Sequence, residues 1–304
     1  MIDLDAVVAL RAVATHGSVS AAAVALDFTP SAVSQQVKRL ERSTGVPLLE
    51  RVGRGVVLTR QGRHLVESST PLLAGLEELE SDLHRQAGTV AGRLRVASFS
   101  TAICGLLAPV VRAVLDAHPD LTVTVSEREP WDTVDLVATD QADLGLVHQW
   151  GDVPLVVPDH VALTPLADDR ADVVLHREHP LAGRDRLTPR DLLDEGWVAT
   201  PRSTICRQWL ERMYVGTGHL PHVAHESWEF DAHLAMVRAR LGIALVPRLG
   251  RSPLGPELCA VQVEDPVPVR RVLAVHRRSM ASSPALGAML EALGGDQQRG
   301  RSRA

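Results

Sequence analysis

Ser18-Val-Ser-Ala-Ala-Ala-Val-Ala-Leu-Asp-Phe-Thr-Pro-Ser-Ala-Val-Ser-Gln-Gln-Val-Lys-Arg-Leu-Glu41 is the stretch on which the reading of this 304-residue chain turns. It reads as two short helices meeting at Asp27-Phe28-Thr29, with Thr29 placed to cap the second and Pro30 pre-set for its first turn. Ala21, Ala22 and Ala23 are small enough to let the two helices approach closely. In the second helix Val33, Val37 and Leu40 fall at i, i+4 and i+7 and form one apolar stripe, while Ser31, Ser34, Gln35, Lys38 and Arg42 share another face. Hydroxyls, an amide and cations are the groups that hydrogen-bond base edges and phosphates when a helix lies in a major groove. Any surface helix is also polar outside, so the surrounding residues decide the matter.

Upstream, residues 3–15 read as a first helix ended by Gly17, with Leu4, Val7, Val8 and Leu10 available to pack under the pair. Downstream, Gly45-Val-Pro-Leu-Leu leads into Arg51-Val-Gly-Arg-Gly-Val-Val-Leu58, two short strands about a Gly-Arg-Gly turn. That is the wing of a winged helix. Arg51 and Arg54 sit there, where a duplex backbone or minor groove would pass.

Ser18-x-Ser-x-Ala22-Ala23-x-x-Leu26, Ala32-Val33-Ser34-x-Gln36-Val37-x-x-Leu40-Glu41, Gly45-Val46-Pro47-Leu48-Leu49-x-Arg51 and Leu58-Thr59-x-x-Gly62 stand in one order and spacing. That pattern resembles the N-terminal domain of the LysR-type transcriptional regulators of bacteria, and a weaker likeness continues nearly to the C-terminus. The family usually has Phe where Leu10, Val19 and Leu49 stand, apolar exchanges that keep a core. It often has Gln-Pro where Pro30-Ser31 stand, which bears on the bases read. The resemblance implies contact with double-stranded DNA through Pro30, Ser31, Ser34, Gln35, Lys38, Arg42, Arg51 and Arg54.

Thr59 is placed to cap a long helix over 59–87. Leu65, Ser69, Leu72, Leu76, Leu79 and Leu83 alternate spacings of four and three, the seam of a coiled coil, so two subunits are expected to zip here. Pro71 inside the seam predicts a kink or a later start. Gly88-Thr-Val-Ala-Gly92 reads as a hinge.

The charge is divided unevenly. Residues 1–65 carry eight Arg or Lys against five acids, a surplus of three positive charges, so the remainder carries eight negative charges in a chain whose net charge is −5. A basic head can engage phosphates while an acidic body stays off the duplex. Composition is 45% hydrophobic, that of a globular protein, no apolar run is read as long enough to span a bilayer, and Met1-Ile-Asp-Leu-Asp lacks the basic start of a signal peptide. A cytoplasmic protein without a membrane partner is expected. Cys104, Cys206 and Cys259 are far apart, odd in number and in no Cys-x-x-Cys pair, so neither a disulfide framework nor a thiolate zinc site is indicated.

From Leu94 strands alternate with helices. Strands are read at 94–98, 121–126, 144–148, 162–166, 172–176, 197–200, 242–246, 258–263 and 270–276. Helices are read near 102–117, 131–141, 188–194, 204–215, 231–240 and 284–293, with a disordered tail over 295–304. By the resemblance this body is an effector-binding domain over 93–294, with lobe I at 93–161 and 267–294 and lobe II at 162–266, similar to periplasmic binding proteins. The expected fold is therefore α+β multidomain: an N-terminal winged helix-turn-helix over 1–58, a long dimerising linker helix, a hinge at 88–92 and a two-lobed α/β effector domain.

Ligands of open α/β sheets sit at strand ends, where helix N-termini offer free N–H groups. Ser98, Ser100 and Thr101 end one strand, and Arg202, Ser203 and Thr204 end another in the opposite lobe, a set suited to a small anionic co-inducer. His148 and Gln149 end a third strand, and Trp150, Trp228 and Phe230 are candidates for an aromatic wall, core packing being as good an account of each. His219, His222, His225 and His233 are metal-ligand types at the wrong spacing for an extended segment, so no metal is expected. Neither a Gly-x-Ser-x-Gly elbow, nor a His-Glu-x-x-His pair, nor a P-loop lysine occurs, so neither an enzyme nor a cofactor is expected. Cys206 lies where the resemblance places the reactive cysteine of peroxide-sensing members, beside Arg207, without a second cysteine in 207–218. The expected function is a DNA-binding regulator, dimeric or tetrameric, controlled by a small molecule, with RNA polymerase among the partners the resemblance allows. A redox-sensing regulator through Cys206 is the alternative, and a solute-binding α/β protein a weaker one, because it leaves the basic head unexplained.

Overall fold

Asp3 opens the first helix, its carboxylate accepting from the backbone N–H of Asp5, and three capped helices follow one another. They are α1 (Leu4–His16), α2 (Val19–Ala25), whose Ser18 hydroxyl accepts from Ala21 N, and α3 (Pro30–Thr44), whose Thr29 hydroxyl accepts from Ala32 N. Val7, Leu10 and Val13 of α1 pack on Ala22 and Ala23 and on the Val33, Val37, Leu40 stripe of α3. The computed structural model describes residues 2–53 and 55–301, with side chains through 295. Arg54, one of the expected DNA contacts, lies outside the described residues.

The wing is β1 (Leu49–Val52) paired antiparallel with β2 (Gly55–Leu58). Its start is pinned by Glu41, whose carboxylate accepts from the N–H groups of Leu48 and Leu49. Thr59 then caps α4 (Arg60–Ala87), accepting from Gly62 N and donating to Pro47 O. A Cβ on Gly62 would lie 2.2 Å from Leu48 O, so only glycine lets α4 pass that close to the wing. Pro71 does not delay the start of α4, contrary to an expected shift, and the helix runs on through it without a break. It lacks an N–H to donate one turn back, and the helix tolerates that loss.

The body is built on one long strand. β3 (Gly92–Ser98) pairs parallel with β4 (Leu121–Glu127) and β5 (Leu144–Trp150), and β12 (Val269–Arg277) pairs antiparallel with β5 and with the first half of β6 (Val161–His176). The second half of β6 pairs antiparallel with β10 (Ala244–Pro247) and β11 (Leu258–Val263), and β7 (Arg186–Leu187) adds to β11. β8 (Gly196–Ala199) and β9 (His222–Glu226) form a parallel pair linked to Ile243. The two expected strands at 162–166 and 172–176 are thus a single strand, and the chain changes lobes within it, near Arg170 and Ala171, later than 162.

Helices cover the sheets: α5 (Ser100–Ala102), a π-helical turn (Ile103–Leu107), α6 (Ala108–Ala117), α7 (Pro130–Ala138), α8 (Ile205–Met213), α9 (Phe230–Arg238) and α10 (Pro284–Arg301). The expected helix at 188–194 is a short 3-10 turn, Pro189–Leu192, and the last helix runs through Arg301 instead of giving way to a tail at 295. Residues 302–304 lie outside the described ones. The run Ser100–Ala117, against expectation, is long and apolar enough to cross a membrane by length and composition. Its Leu106, Leu107, Val110 and Val114 are buried in the core of lobe I with Leu286 and Met289 of α10.

Candidate functional site: the reading head and the inter-lobe cleft

On the head, the polar face of α3 is free. Pro30, Ser31, Gln35, Lys38 and Arg42 are on the outside of the helix and Ser34 is half-buried, while Val33, Val37 and Leu40 are turned inward. Arg42 Nε donates to Lys38 O, which lays its guanidinium along the helix. Arg51 is exposed on the wing strand that follows. These side chains form a contiguous surface of donors on a helix held rigidly by its opposite stripe, the geometry that major-groove reading requires.

In the body, the expected cleft residues are only partly brought together. Ser98 is buried, with its hydroxyl on Phe99 O, and Ser100 is half-buried. The buried Thr101 accepts from Arg270 through a 2.7 Å bond. His148 is buried edge-on against Phe99, with 4.6 Å between ring centroids, and its Nδ1 has no partner among the described residues. Burial, reinforced by the positive charge of Arg270, pushes the His148 pKa well below the usual histidine range. Gln149 is half-buried.

Lobe II differs from expectation. Arg202 and Ser203 stand in an exposed turn, without a hydrogen bond to lobe I among the described residues, and Trp228 is 57% exposed. A two-residue turn ahead of the capping threonine turns them to solvent. Thr204 is buried, but its hydroxyl serves as the N-cap of α8, accepting from Arg207 N and bonding Thr200 at 2.7 Å. Arg207 is also turned away from Cys206, paired with Glu211 and Glu226.

The charge pair beside the lobe crossover was not foreseen. Arg270, 1% exposed, lies directly across the ladder from Asp169 on β6, and its Nε donates to that carboxylate at 2.8 Å. Its guanidinium carbon lies 5.0 Å from the Phe99 ring centre and 5.8 Å from that of Trp150. Trp150 of lobe I stacks on Trp209 of α8, with centroids 5.7 Å apart, and Ile205 and Cys206 complete that apolar contact. Asp169 also accepts from Leu249 N, which brings the 248–251 loop against the π-helical turn. There Gly250 approaches so closely that a Cβ would lie 2.3 Å from Thr101 O. The signal that could have found Arg270 and Asp169 was charge placed inside runs otherwise fit for buried strands.

Cys206 is half-buried beside this cluster, and burial pushes its thiol up to about 11, the positive charge of Arg270 acting the other way. His233, expected as a metal-ligand type, is buried with its Nε2 on Ser227 O. The cavity between Trp150, Cys206, Phe230 and Leu245 holds only about 20 Å³, room for about one water.

A winged helix-turn-helix head, a long connecting helix and a two-lobed α/β body define a DNA-binding regulator with an effector-binding domain. The LysR substrate binding domain family matches residues 87–298, and the bacterial regulatory helix-turn-helix proteins of the lysR family match residues 4–63. The chain belongs to the LysR family of transcriptional regulators. It is 31% identical over 289 residues, 92% of each chain, to the RuBisCO operon transcriptional regulator of Allochromatium vinosum. Its fold is that of a full-length OxyR variant from Pseudomonas aeruginosa, with a TM-score of 0.72 at 20% identity over 96% of this chain and 95% of that one. It also matches full-length CbnR solved in complex with its target DNA, with a TM-score of 0.56 at 20% identity over 96% and 99%. Relatives of this kind are regulators and not enzymes.

Proposed function

We propose that the protein acts in the cytoplasm as a dimer or tetramer that reads a specific operator in double-stranded DNA and responds to a small molecule taken up between its lobes. Ser31, Ser34 and Gln35 read base edges, while Lys38, Arg42, Arg51 and Arg54 meet phosphates. The observation that carries the effector half is Arg270, a cation buried in lobe I beside the crossover to lobe II and held by Asp169 and Thr101, with aromatic rings on its faces. It supports an anionic co-inducer that opens the lobes and meets Arg270, Thr101 and His148. The exposed leucines of α4 support pairing of two chains, and RNA polymerase is a further partner of the DNA-bound state.

The redox alternative through Cys206 is the weaker reading. A thiol pushed up to about 11 is scarcely thiolate at neutral pH, its expected activator Arg207 is paired elsewhere, and no second cysteine lies within the next turns.

Gln35→Ala and Arg51→Ala test the head. Gel shifts on the DNA flanking the protein's own gene should show Gln35→Ala relaxing sequence preference at particular positions, with a loss of about 1–3 kcal/mol there. Arg51→Ala should weaken all sites and lower the slope of log affinity against log salt by about one contact. Identical behaviour of both variants at every site and salt concentration would overturn the assignment.

A further inference from the structure

A much larger cavity than the inter-lobe one, of about 740 Å³, opens where α1, α4 and lobe I meet. That lies within the roughly 300–1,000 Å³ that small-molecule sites occupy. Leu73, Leu94 and Met280 supply apolar wall, and Arg11 lines one end.

Arg11 is only 9% exposed. One of its terminal nitrogens donates to Val66 O at 3.1 Å and to Thr70 Oγ1 at 2.8 Å, which fixes the side chain against α4. Among the described residues its Nε and other terminal nitrogen meet no acceptor, and no carboxylate pairs with it. The neighbouring cations are satisfied: half-buried Arg95 by Asp140 and Asp143, and buried Arg277 by Glu77, Asp140 and Asp143. Those pairs occupy the acids nearest the cavity floor, and Glu78 and Glu80 on its rim are exposed. The charge of Asp140 reaches Arg11 without a direct bond to it, so the free edge of the guanidinium still has charge-assisted bonds to offer an anion. Water filling the cavity solvates Arg11 only until such an anion displaces it.

We propose that this cavity is a second ligand site, which takes a small organic anion with its charged end on the free edge of Arg11 and its apolar body along Leu73, Leu94 and Met280. The ligand would touch the head, the linker helix and lobe I at once, so it would favour the arrangement in which those three meet.

The full-length protein can be titrated with 8-anilinonaphthalene-1-sulfonate, an aromatic anion that brightens on leaving water, and with N-phenyl-1-naphthylamine, its neutral counterpart. Saturable binding of the sulfonate is expected. Arg11→Gln should weaken it by about tenfold while leaving the neutral dye unchanged, because only the charge-assisted contact is lost. Ala74→Phe, which fills the cavity from α4, should weaken both dyes, and Arg186→Gln, exposed on β7, should affect neither. Unchanged sulfonate binding in folded Arg11→Gln overturns the proposal, as does an equal loss in Arg186→Gln. Equal loss of both dyes in Arg11→Gln also overturns it, since that marks a structural role. Where Arg11→Gln does not fold by circular dichroism, unchanged sulfonate binding by Ala74→Phe overturns it.

Discussion

His148 and Arg270 show how single residues set the properties of the cleft. His148 stays neutral because burial, and then the charge of Arg270, hold its folded pKa well below the ordinary 6.5. The unfolded chain therefore binds a proton that the folded chain refuses, in the window from about 6.5 down to the folded value. Stability falls there as pH falls, by up to about 1.4 kcal/mol per pH unit for such a group. His233, also depressed chiefly by burial, contributes in the same direction. Urea unfolding at pH 7 and pH 5 should show the wild type losing about 1–2 kcal/mol more than His148→Gln does over that interval. Parallel losses in the two proteins would remove His148 from the account. Thr101 and His148 were singled out in the sequence because both were read at strand ends, Thr101 in fact opening α5 after β3 and His148 lying within β5. Arg270 and Asp169 were not, since their meaning lies in a cross-strand pairing 101 residues apart in the chain. Asp168-Asp169-Arg170 looks like a turn for the same reason: charge inside a strand is explained only by the partner that neutralises it.

At the scale of the element, α4 presents two faces with different tasks. One carries Glu77, whose carboxylate receives Arg277 Nε at 3.0 Å and also bonds Ser279, so the helix is tied to lobe I. The other carries Leu72, Leu76, Leu79 and Leu83, all exposed in the single chain. Fully burying a leucine is worth about 1.5–3 kcal/mol, so such a row on one helix supports the proposed pairing of two chains there. Leu76→Glu with Leu79→Glu would require charges to be desolvated at that seam. The double variant should run as a monomer by light scattering and lose operator affinity, with its effector domain melting unchanged. An unaltered oligomeric state would show that the chains pair elsewhere. Leu65 and Ser69, expected in the seam, are instead turned into the chain, Leu65 on the head core and Ser69 buried with its hydroxyl on Val66 O, because the head covers the first turns of α4. The caps Ser18, Thr29 and Thr59 were readable in advance because capping is local. Elements defined by distant pairing were misread: β7 and β9 were not foreseen, and β6 was split in two.

Across the whole molecule, a line of polar contacts runs from head to body. His16 of α1 bonds Gln141 of lobe I, Arg11 holds Val66 O and Thr70 of α4, and Glu77 of α4 meets Arg277 of β12. Arg277 also donates to Val137 O and Ala142 O, so it closes the end of α7 as well as anchoring the linker. These two duties separate by mutation. In Glu77→Gln, Arg277 keeps Asp143, Asp140 and the two carbonyls, so lobe I stays folded and only the tie to α4 is weakened, by about 1.5–3 kcal/mol for a charged hydrogen bond. Opening of the linker from lobe I should then be at least about tenfold more frequent, since about 1.4 kcal/mol corresponds to that factor. Limited trypsin cleavage at Arg85, on the last turn of α4, reports it directly. In Arg277→Gln the carboxylates of Asp140 and Asp143 keep Arg95 but lose the cation that also binds Glu77, and the two carbonyls lose a charged donor. That loss should cost about 3–5 kcal/mol and lower the melting point of lobe I itself. The order of effects is the test. Glu77→Gln should accelerate cleavage with little change in effector-domain melting, and Arg277→Gln should do both. If Glu77→Gln leaves the cleavage rate at the wild-type value, the linker is held by its apolar contacts alone, and a ligand between the lobes must reach the head by another route.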